Sequence, residues 1–198
     1  MKRKPQSYFF FAIKAMSLKT FVKVGSITNL SDARYCAGMG ADMLGFRVVE
    51  GQENFISPAA FQEIRGWVTG PTVVAEIYGL KSHAALNSIL ENYRPDYLEL
   101  SLAELNLIEV ISIPYILNLA KGDTPSGEPE YILTKTDSGI PETSVKRLIE
   151  LKTGDNVDEV LKRYNIYGIA LKGSQEEKPG LKDYQELAEI FEILETDD

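Results

Sequence analysis

Eight short runs rich in apolar and β-branched residues alternate with stretches of helical periodicity along this chain of 198 residues. This alternation is typical of repeated strand–helix units, in which consecutive strands run parallel and a helix makes each crossover. The predicted strands are residues 20–24, 43–48, 73–77, 97–100, 115–119, 131–134, 147–151 and 167–171. The predicted helices are residues 31–39, 58–67, 82–93, 103–110, 156–164 and 181–195. Eight such strands predict an α/β fold, a (βα)8 TIM barrel.

Two of the expected crossovers are too short for a full helix. Residues 120–130 contain two glycines and two prolines without a helical period, and residues 135–146 leave room for one helical turn at most. Because a parallel crossover takes about a dozen residues and usually a helix, we expect the fifth and sixth helices of the barrel to be shortened or missing. An uncovered apolar flank often marks a subunit contact, so a homodimer through the flank near strands five and six is expected.

Charge and cysteine content exclude several classes of partner and site. The formal net charge is −8, and no basic stripe offsets it, which argues against nucleic-acid and membrane partners. The single cysteine, Cys36, excludes an internal disulfide framework and a cysteine zinc site. One cysteine also suits a reducing compartment, so a cytoplasmic location is expected.

The N-terminal residues are basic and then apolar. Lys2, Arg3 and Lys4 precede an apolar run at residues 8–13 that is too short to span a membrane, and Lys14 interrupts it before any cleavage site. A secretory signal is therefore not favoured. We expect residues 1–17 to be an N-terminal extension that packs loosely or not at all, and residues 18–198 to form the barrel.

Two ordered segments carry distinctive motifs. The first strand and the loop and helix after it contain Lys23, Thr28, Asp32 and Ala33, and a late segment contains Glu176, Pro179, Gly180, Lys182 and Asp183. These residues resemble the phosphoribosylanthranilate isomerase family, in which the first strand reads Lys-x-Cys-Gly-x-Thr with Asp-Ala following a few residues later, and a late segment reads Ser-Ser-Gly-Val-Glu and then Pro-Gly-x-Lys-Asp before the last helix. Gly25 stands where the family keeps its catalytic cysteine, and Ser26 where it keeps the next glycine. The resemblance implies a (βα)8 barrel and a place in tryptophan biosynthesis.

The family reaction is an Amadori rearrangement, which converts an aminoaldose to an aminoketose. It needs a general acid for the ring oxygen and a general base for a carbon-bound proton. The resemblance places the base position on Gly25, and the register of the sixth strand places the acid position on Thr134. The family's arginine after the second strand aligns with Asn54. The chain therefore lacks the family's catalytic side chains.

Three carboxylates are weak candidates for a replacement catalytic group. Asp137 lies three residues beyond Thr134, so a shifted loop would return a carboxyl group to the site. Glu76 and Glu99 lie near the ends of strands three and four, where inward-pointing side chains face the barrel mouth. Without histidines or a third carboxylate in a spaced motif, these two acids predict no metal site, and no cofactor is expected.

A phosphate site is predicted after strand eight. Phosphate groups in such barrels are held by backbone N–H groups of glycine-rich turns near strands seven and eight. Lys172, Gly173 and Ser174 occupy the turn after strand eight, and the lysine adds a positive charge. A small phosphorylated metabolite is the expected ligand.

Three functions remain open from the sequence. The first is a degenerate family member, a pseudoenzyme that binds a ligand or partner without the family mechanism. The second is an active phosphoribosylanthranilate isomerase, or a related sugar-phosphate isomerase of the aldose–ketose type, with recruited catalytic groups. The third is a non-catalytic assembly protein that uses the uncovered flank.

Overall fold

Eight parallel strands pair in chain order, and the last pairs with the first, so the sheet closes into a barrel. The computed structural model describes residues 17–138, 143–173, 176–178, 181–182 and 184–196. The barrel strands are β1 Phe21–Gly25, β2 Met43–Arg47, β3 Thr72–Glu76, β4 Tyr97–Ser101, β5 Tyr115–Asn118, β6 Tyr131–Lys135, β7 Lys146–Glu150 and β8 Gly168–Lys172. The predicted (βα)8 barrel is confirmed.

The helices follow the predicted ranges, with two differences. They are α1 Leu30–Gly38, α2 Pro58–Trp67, α3 His83–Tyr93, α4 Leu102–Leu105, α5 Val157–Arg163 and α6 Gln185–Leu194. The predicted helix 103–110 stops early, because β-branched residues and Pro114 follow it and these disfavour helix. The predicted helix 181–195 begins later, because Leu181–Lys182 (β10) pairs antiparallel with Glu176–Lys178 (β9).

The crossovers after β5 and β6 lack full helices, as predicted. Residues 119–130 form turns and irregular backbone, and the described residues 136–138 and 143–145 are not helical either. Residues 139–142 lie outside the described residues. Omitting these helices leaves the barrel intact, because the adjoining strands still pair along their length.

The expectation of an uncovered apolar flank near β5 and β6 is wrong. The outward-facing residues of β5 and β6, Leu117 and Ile132, are fully buried within the single chain, and Thr134 is 2% exposed. The end of α4 and the irregular stretch that leads to β5 pack apolar side chains against the core at Leu105, Ile108, Ile111 and Ile113. Leu107 and Val110 of this stretch are exposed, but the strand faces themselves offer no bare surface to a second subunit.

The two ends of the barrel differ in chemistry. At the amino ends of the strands, Phe21 stacks on Tyr131 with ring centroids 5.8 Å apart, and Tyr97 and Tyr167 complete an aromatic cluster. Above it lies a layer of inward-facing apolar residues that includes Val74, Ile116 and Leu133. The buried charged side chains of the barrel interior, Lys23, Glu76 and Glu99, lie toward the carboxyl ends, where the sites of such barrels lie.

Two further expectations concern the N-terminal extension and membrane spans. The predicted N-terminal extension, residues 1–17, falls almost entirely outside the described residues, which begin at Ser17. None of the helices within the described ranges has the length and apolar character that a membrane span requires.

Candidate functional site

An open cavity of about 760 Å³ lies at the carboxyl ends of the strands. Its floor is made by side chains that point into the barrel, which alternate along each strand with those that point outward. Lys23 and Gly25 of β1, Arg47 of β2, Glu76 of β3 and Glu99 of β4 all line it. The predicted position of Glu76 and Glu99 at the barrel mouth is thus observed.

A buried ion cluster forms the centre of this floor. Lys23 Nζ lies 2.9 Å from Glu76 Oε1 and 2.7 Å from Glu99 Oε2, and all three residues are at most 3% exposed. Tyr78 donates a hydrogen bond of 2.6 Å to Glu99, and Asn118 donates one of 2.7 Å to the Tyr78 hydroxyl. The two carboxylates therefore meet on one ammonium group.

The pKa shifts in this cluster follow from burial and charge. Burial alone would lower the pKa of Lys23, but the Glu76 and Glu99 carboxylates outweigh it and raise that pKa well above its usual range. Burial raises the pKa of Glu99 above its ordinary value, and Lys23 only partly offsets this. Lys23 is consequently a permanent cation, unsuited to act as a nucleophile or base at neutral pH.

The Glu76 carboxylate fills the space that a side chain at position 25 would need. A Cβ placed on Gly25 would collide with Glu76 Oε1 and lie 2.9 Å from Lys23 Nζ. A Cβ on Gly45 of the neighbouring strand would meet the same carboxylate and lie 3.0 Å from the same ammonium. Two inward-facing glycines thus make room for the ion pair of Lys23 and Glu76.

Ser26 and Arg47 connect this cluster to the open part of the cavity. The Ser26 N–H lies 3.2 Å from both Glu76 oxygens, and its hydroxyl donates to Glu76 Oε2 over 3.3 Å. Arg47 Nε donates to the same hydroxyl over 3.3 Å and lies 3.7 Å from Glu76 Oε2. The Arg47 guanidinium lies over the Tyr78 ring, 5.8 Å from its centroid.

Thr134 on β6 and Asp137 just after it lie in different surroundings. Thr134 is buried, does not line the cavity, and its hydroxyl has no hydrogen-bond partner within the described residues. The side chains that β6 presents to the cavity are Leu133 and Lys135. Asp137 does line the cavity, but it pairs with Lys152 over 2.6 Å, and this hydrogen bond lowers the pKa of Asp137.

The turn after β8 is only partly available to an anion. Lys172 lines the cavity and its Nζ lies 3.4 Å from Glu150 Oε1. The Gly173 N–H donates a 2.7 Å hydrogen bond to the Gly25 carbonyl, so this N–H is already used. Ser174 lies outside the described residues.

Sequence reasoning missed the role of Lys23, Arg47 and Tyr78 in the cavity. The signal was present in the spacing, because Lys23–Gly25 and Gly45–Arg47 are pairs two residues apart on adjacent strands and so share one face. Asn54, aligned with the family's arginine, is exposed and does not line the cavity. Among the described residues no group of His, Cys, Asp and Glu is arranged to hold a metal ion.

A curated sequence of known name is similar to this chain over most of its length. The N-(5'-phosphoribosyl)anthranilate isomerase of a Nitratiruptor species is 26% identical over 196 residues, which cover 86% of this chain and 96% of that protein. The chain is therefore similar in sequence to a phosphoribosylanthranilate isomerase. The resemblance found in the sequence motifs is thereby confirmed, although no profile of a protein family matches the sequence.

Solved structures of phosphoribosylanthranilate isomerases share this fold. The enzyme from Thermus thermophilus superposes with a TM-score of 0.66 at 21% identity, covering 87% of this chain and 96% of that one. A second isomerase structure, in complex with reduced 1-(o-carboxyphenylamino)-1-deoxyribulose 5-phosphate, gives a TM-score of 0.63 at 17% identity and covers 87% of this chain and 97% of that one. At these identities the likeness establishes the fold.

Proposed function

We propose that this chain is a divergent member of the phosphoribosylanthranilate isomerase family that keeps a ligand cavity but does not carry out the Amadori rearrangement by the family mechanism. Its ligand is a small phosphorylated metabolite of the kind bound by its structural relative. The single observation that carries the proposal is Gly25, which has no side chain at the base position and no space for one beside Glu76.

The acid side of the reaction supports the same proposal. The residue aligned with the family's acid, Thr134, has a side chain outside the cavity. The inward-facing alternatives on β6 are an apolar Leu133 and a cationic Lys135, neither of which is a carboxylic acid. A proton for the ring oxygen would have to come from a group outside the family's pattern.

An active isomerase with recruited groups is the second candidate, and one observation favours it. Glu76, Glu99 and Asp137 all line the cavity, so carboxyl groups are present although none stands at the family's positions. Glu76 and Glu99 share Lys23 and lie on the same side of the cavity, whereas the rearrangement needs its acid and base on opposite sides of the substrate.

A purely structural assembly role has less support. That hypothesis required an uncovered apolar flank at β5 and β6, and the outward-facing residues of these strands are buried. The cavity at the carboxyl ends, by contrast, is lined by polar and charged side chains such as Arg47, Glu76 and Lys172.

The proposal is tested by growth of an isomerase-deficient tryptophan auxotroph that carries this gene. We expect no growth without tryptophan, because both proton-transfer positions lack a suitable side chain. An intact isomerase gene in the same vector is the positive control, and soluble expression of this chain is checked by immunoblot. Growth at the rate of the positive control would support the recruited-group alternative and overturn the proposal.

The phosphate contact is tested by titration with inorganic phosphate. We propose that Lys172, Gly173 and Ser174 hold the phosphate group, with Lys172 supplying the charge because the Gly173 N–H already binds the Gly25 carbonyl. Binding at millimolar phosphate is expected in NMR spectra of the wild-type protein and should be lost in Lys172→Ala. The matched control is Lys19→Ala, whose ammonium binds the Ile193 carbonyl away from the cavity. Equal phosphate shifts in wild type and Lys172→Ala would exclude this contact.

A further inference from the structure

Ser26 is one of three non-glycine residues with a positive φ within the described chain, and the only one that lines the cavity. Its φ is 56°, in the left-handed region that disfavours side chains with a Cβ and suits glycine. Residues held in such conformations cost stability, and they cluster at functional sites. A serine at this position is therefore expected to have a side-chain role that glycine could not perform.

The backbone contacts of Ser26 do not explain the choice of serine. Its N–H donates to both oxygens of Glu76 at 3.2 Å, and a glycine would offer the same N–H. Glu76 is also held by Lys23 at 2.9 Å, so the 3.3 Å contact from the Ser26 hydroxyl adds little to its placement. What only the serine hydroxyl provides is an acceptor for Arg47.

Arg47 depends on that acceptor. The Ser26 hydroxyl accepts the only hydrogen bond that Arg47 donates through its side chain to the described residues, at 3.3 Å. The remaining anchors are a 3.7 Å ion-pair contact with Glu76 and the face of the Tyr78 ring. The two terminal nitrogens of Arg47 make no hydrogen bond or ion pair in the described part of the chain, although the residue lines the cavity and is only 26% exposed.

We infer that Ser26 is a positioning residue, held in a strained conformation so that its hydroxyl fixes Arg47 Nε and leaves the two terminal nitrogens of Arg47 available to an anionic group of the ligand. A guanidinium fixed at Nε presents the remaining N–H groups in one plane, which suits a carboxylate or phosphate. The inference rests on the proposed function in one respect, that the cavity binds an anionic small molecule.

The test compares Ser26→Gly and Ser26→Ala with the wild-type protein. The probe is reduced 1-(o-carboxyphenylamino)-1-deoxyribulose 5-phosphate, with Kd measured by calorimetry. Both variants lack the hydroxyl, so each should bind the probe about tenfold more weakly, the effect of losing roughly one hydrogen bond. Ser26→Gly should unfold at a temperature no lower than that of wild type, because strain is relieved, and Ser26→Ala should unfold below Ser26→Gly, because its Cβ keeps the strain.

Arg94→Gly is the matched control for strain relief alone. Arg94 also has a positive φ, 46°, but it lies at the end of α3 away from the cavity. This variant should be at least as stable as wild type and should bind the probe with unchanged Kd. Benzoate and inorganic phosphate are each used to compete with the probe, in wild type and in Arg47→Lys. The competitor whose binding weakens in Arg47→Lys carries the anionic group that Arg47 contacts.

A measurement without ligand separates this inference from the proposed function. The Arg47 Nε–H proton should exchange with water faster in Ser26→Ala than in wild type, because its acceptor is gone. Unchanged exchange, or a Ser26→Gly variant that binds the probe as tightly as wild type or unfolds at a lower temperature, would overturn the inference. Faster Nε–H exchange in Ser26→Ala, combined with a wild-type protein that does not bind the probe, would instead overturn the proposed ligand. The positioning role of Ser26 would then remain in place.

Discussion

Replacing Lys23 by methionine is expected to destabilise the protein by about 3–5 kcal/mol at pH 7. Methionine has a similar length, so the main change is the loss of the ammonium that lies between Glu76 and Glu99. Both carboxylates are buried, and they would face each other without a shared counter-charge. The free energy of unfolding is measured by urea denaturation of wild type and Lys23→Met.

The loss in Lys23→Met should depend on pH in a defined direction. In the wild type, the pKa of Lys23 is raised above its usual 10.5, so its contribution is fully present below that pH and is lost only as pH rises through the higher folded value. In Lys23→Met, the buried Glu99 carboxylate has lost its cation, so it binds a proton more tightly in the folded than in the unfolded protein. The stability deficit should therefore shrink as pH falls from 7 toward the ordinary glutamate value of 4.5.

Two variants control this prediction. Lys152→Met removes an ion pair of similar length, 2.6 Å to Asp137, whose members are 43% and 66% exposed, and it should cost far less stability than Lys23→Met because water screens exposed charges. Lys23→Met combined with Glu76→Gln and Glu99→Gln removes the stranded charges and should recover part of the loss. If the triple variant is no more stable than Lys23→Met, unpaired charge is not the cause.

Installing the family's base should require two substitutions rather than one. Gly25→Cys alone places a Cβ against Glu76 and Lys23, and we expect it to lower the free energy of unfolding by about 1–3 kcal/mol without useful turnover. Gly25→Cys with Glu76→Ala clears the space and places a thiol beside the Lys23 ammonium, which favours the reactive thiolate. The double variant should turn over phosphoribosylanthranilate at least about 100-fold faster than wild type, the lower range for one proton-transfer group.

Thiol reactivity provides an independent readout of the same design. Cys36 is fully buried, so it is an internal reference for an unreactive thiol, and the new cysteine should react with a disulfide reagent much faster. Glu76→Ala alone controls for the loss of the carboxylate. A wild-type turnover near roughly 10 per second, the usual enzyme rate, would show that the native cavity already contains a competent acid and base. Equal turnover in wild type and double variant would show that the base position is not what limits the reaction.

The fold was predictable because its signals are local. Each barrel strand is a short run rich in apolar residues, and caps such as Asn29, Ser57 and Ser82 fix the starts of α1, α2 and α3. The covering of β5 and β6 was not predictable in this way. The strands are buried although no helix follows either of them within the described residues, and irregular backbone such as the stretch before β5 packs apolar side chains on the core without a period that sequence reading could detect.

The candidate site was predictable only in part. Glu76 and Glu99 were found because acids at strand ends face the mouth of a barrel, but their meeting on Lys23 depends on the alignment of three strands. Thr134 was assigned by counting along β6, and its side chain lies on the outward face of the strand. A shift of one residue exchanges the two faces of a strand, which is why alignment alone could not place it.

The glycines that flank Glu76 also restrict the order in which this cavity could change during evolution. A side chain gained at position 25 or 45 while Glu76 is present collides with its carboxylate, whereas losing Glu76 first leaves Lys23 with one counter-ion inside the barrel. Both single steps are expected to lower stability. Gaining a cysteine at position 25 would thus cross a barrier of epistasis, and mutations elsewhere that raise overall stability would be needed before that path opens.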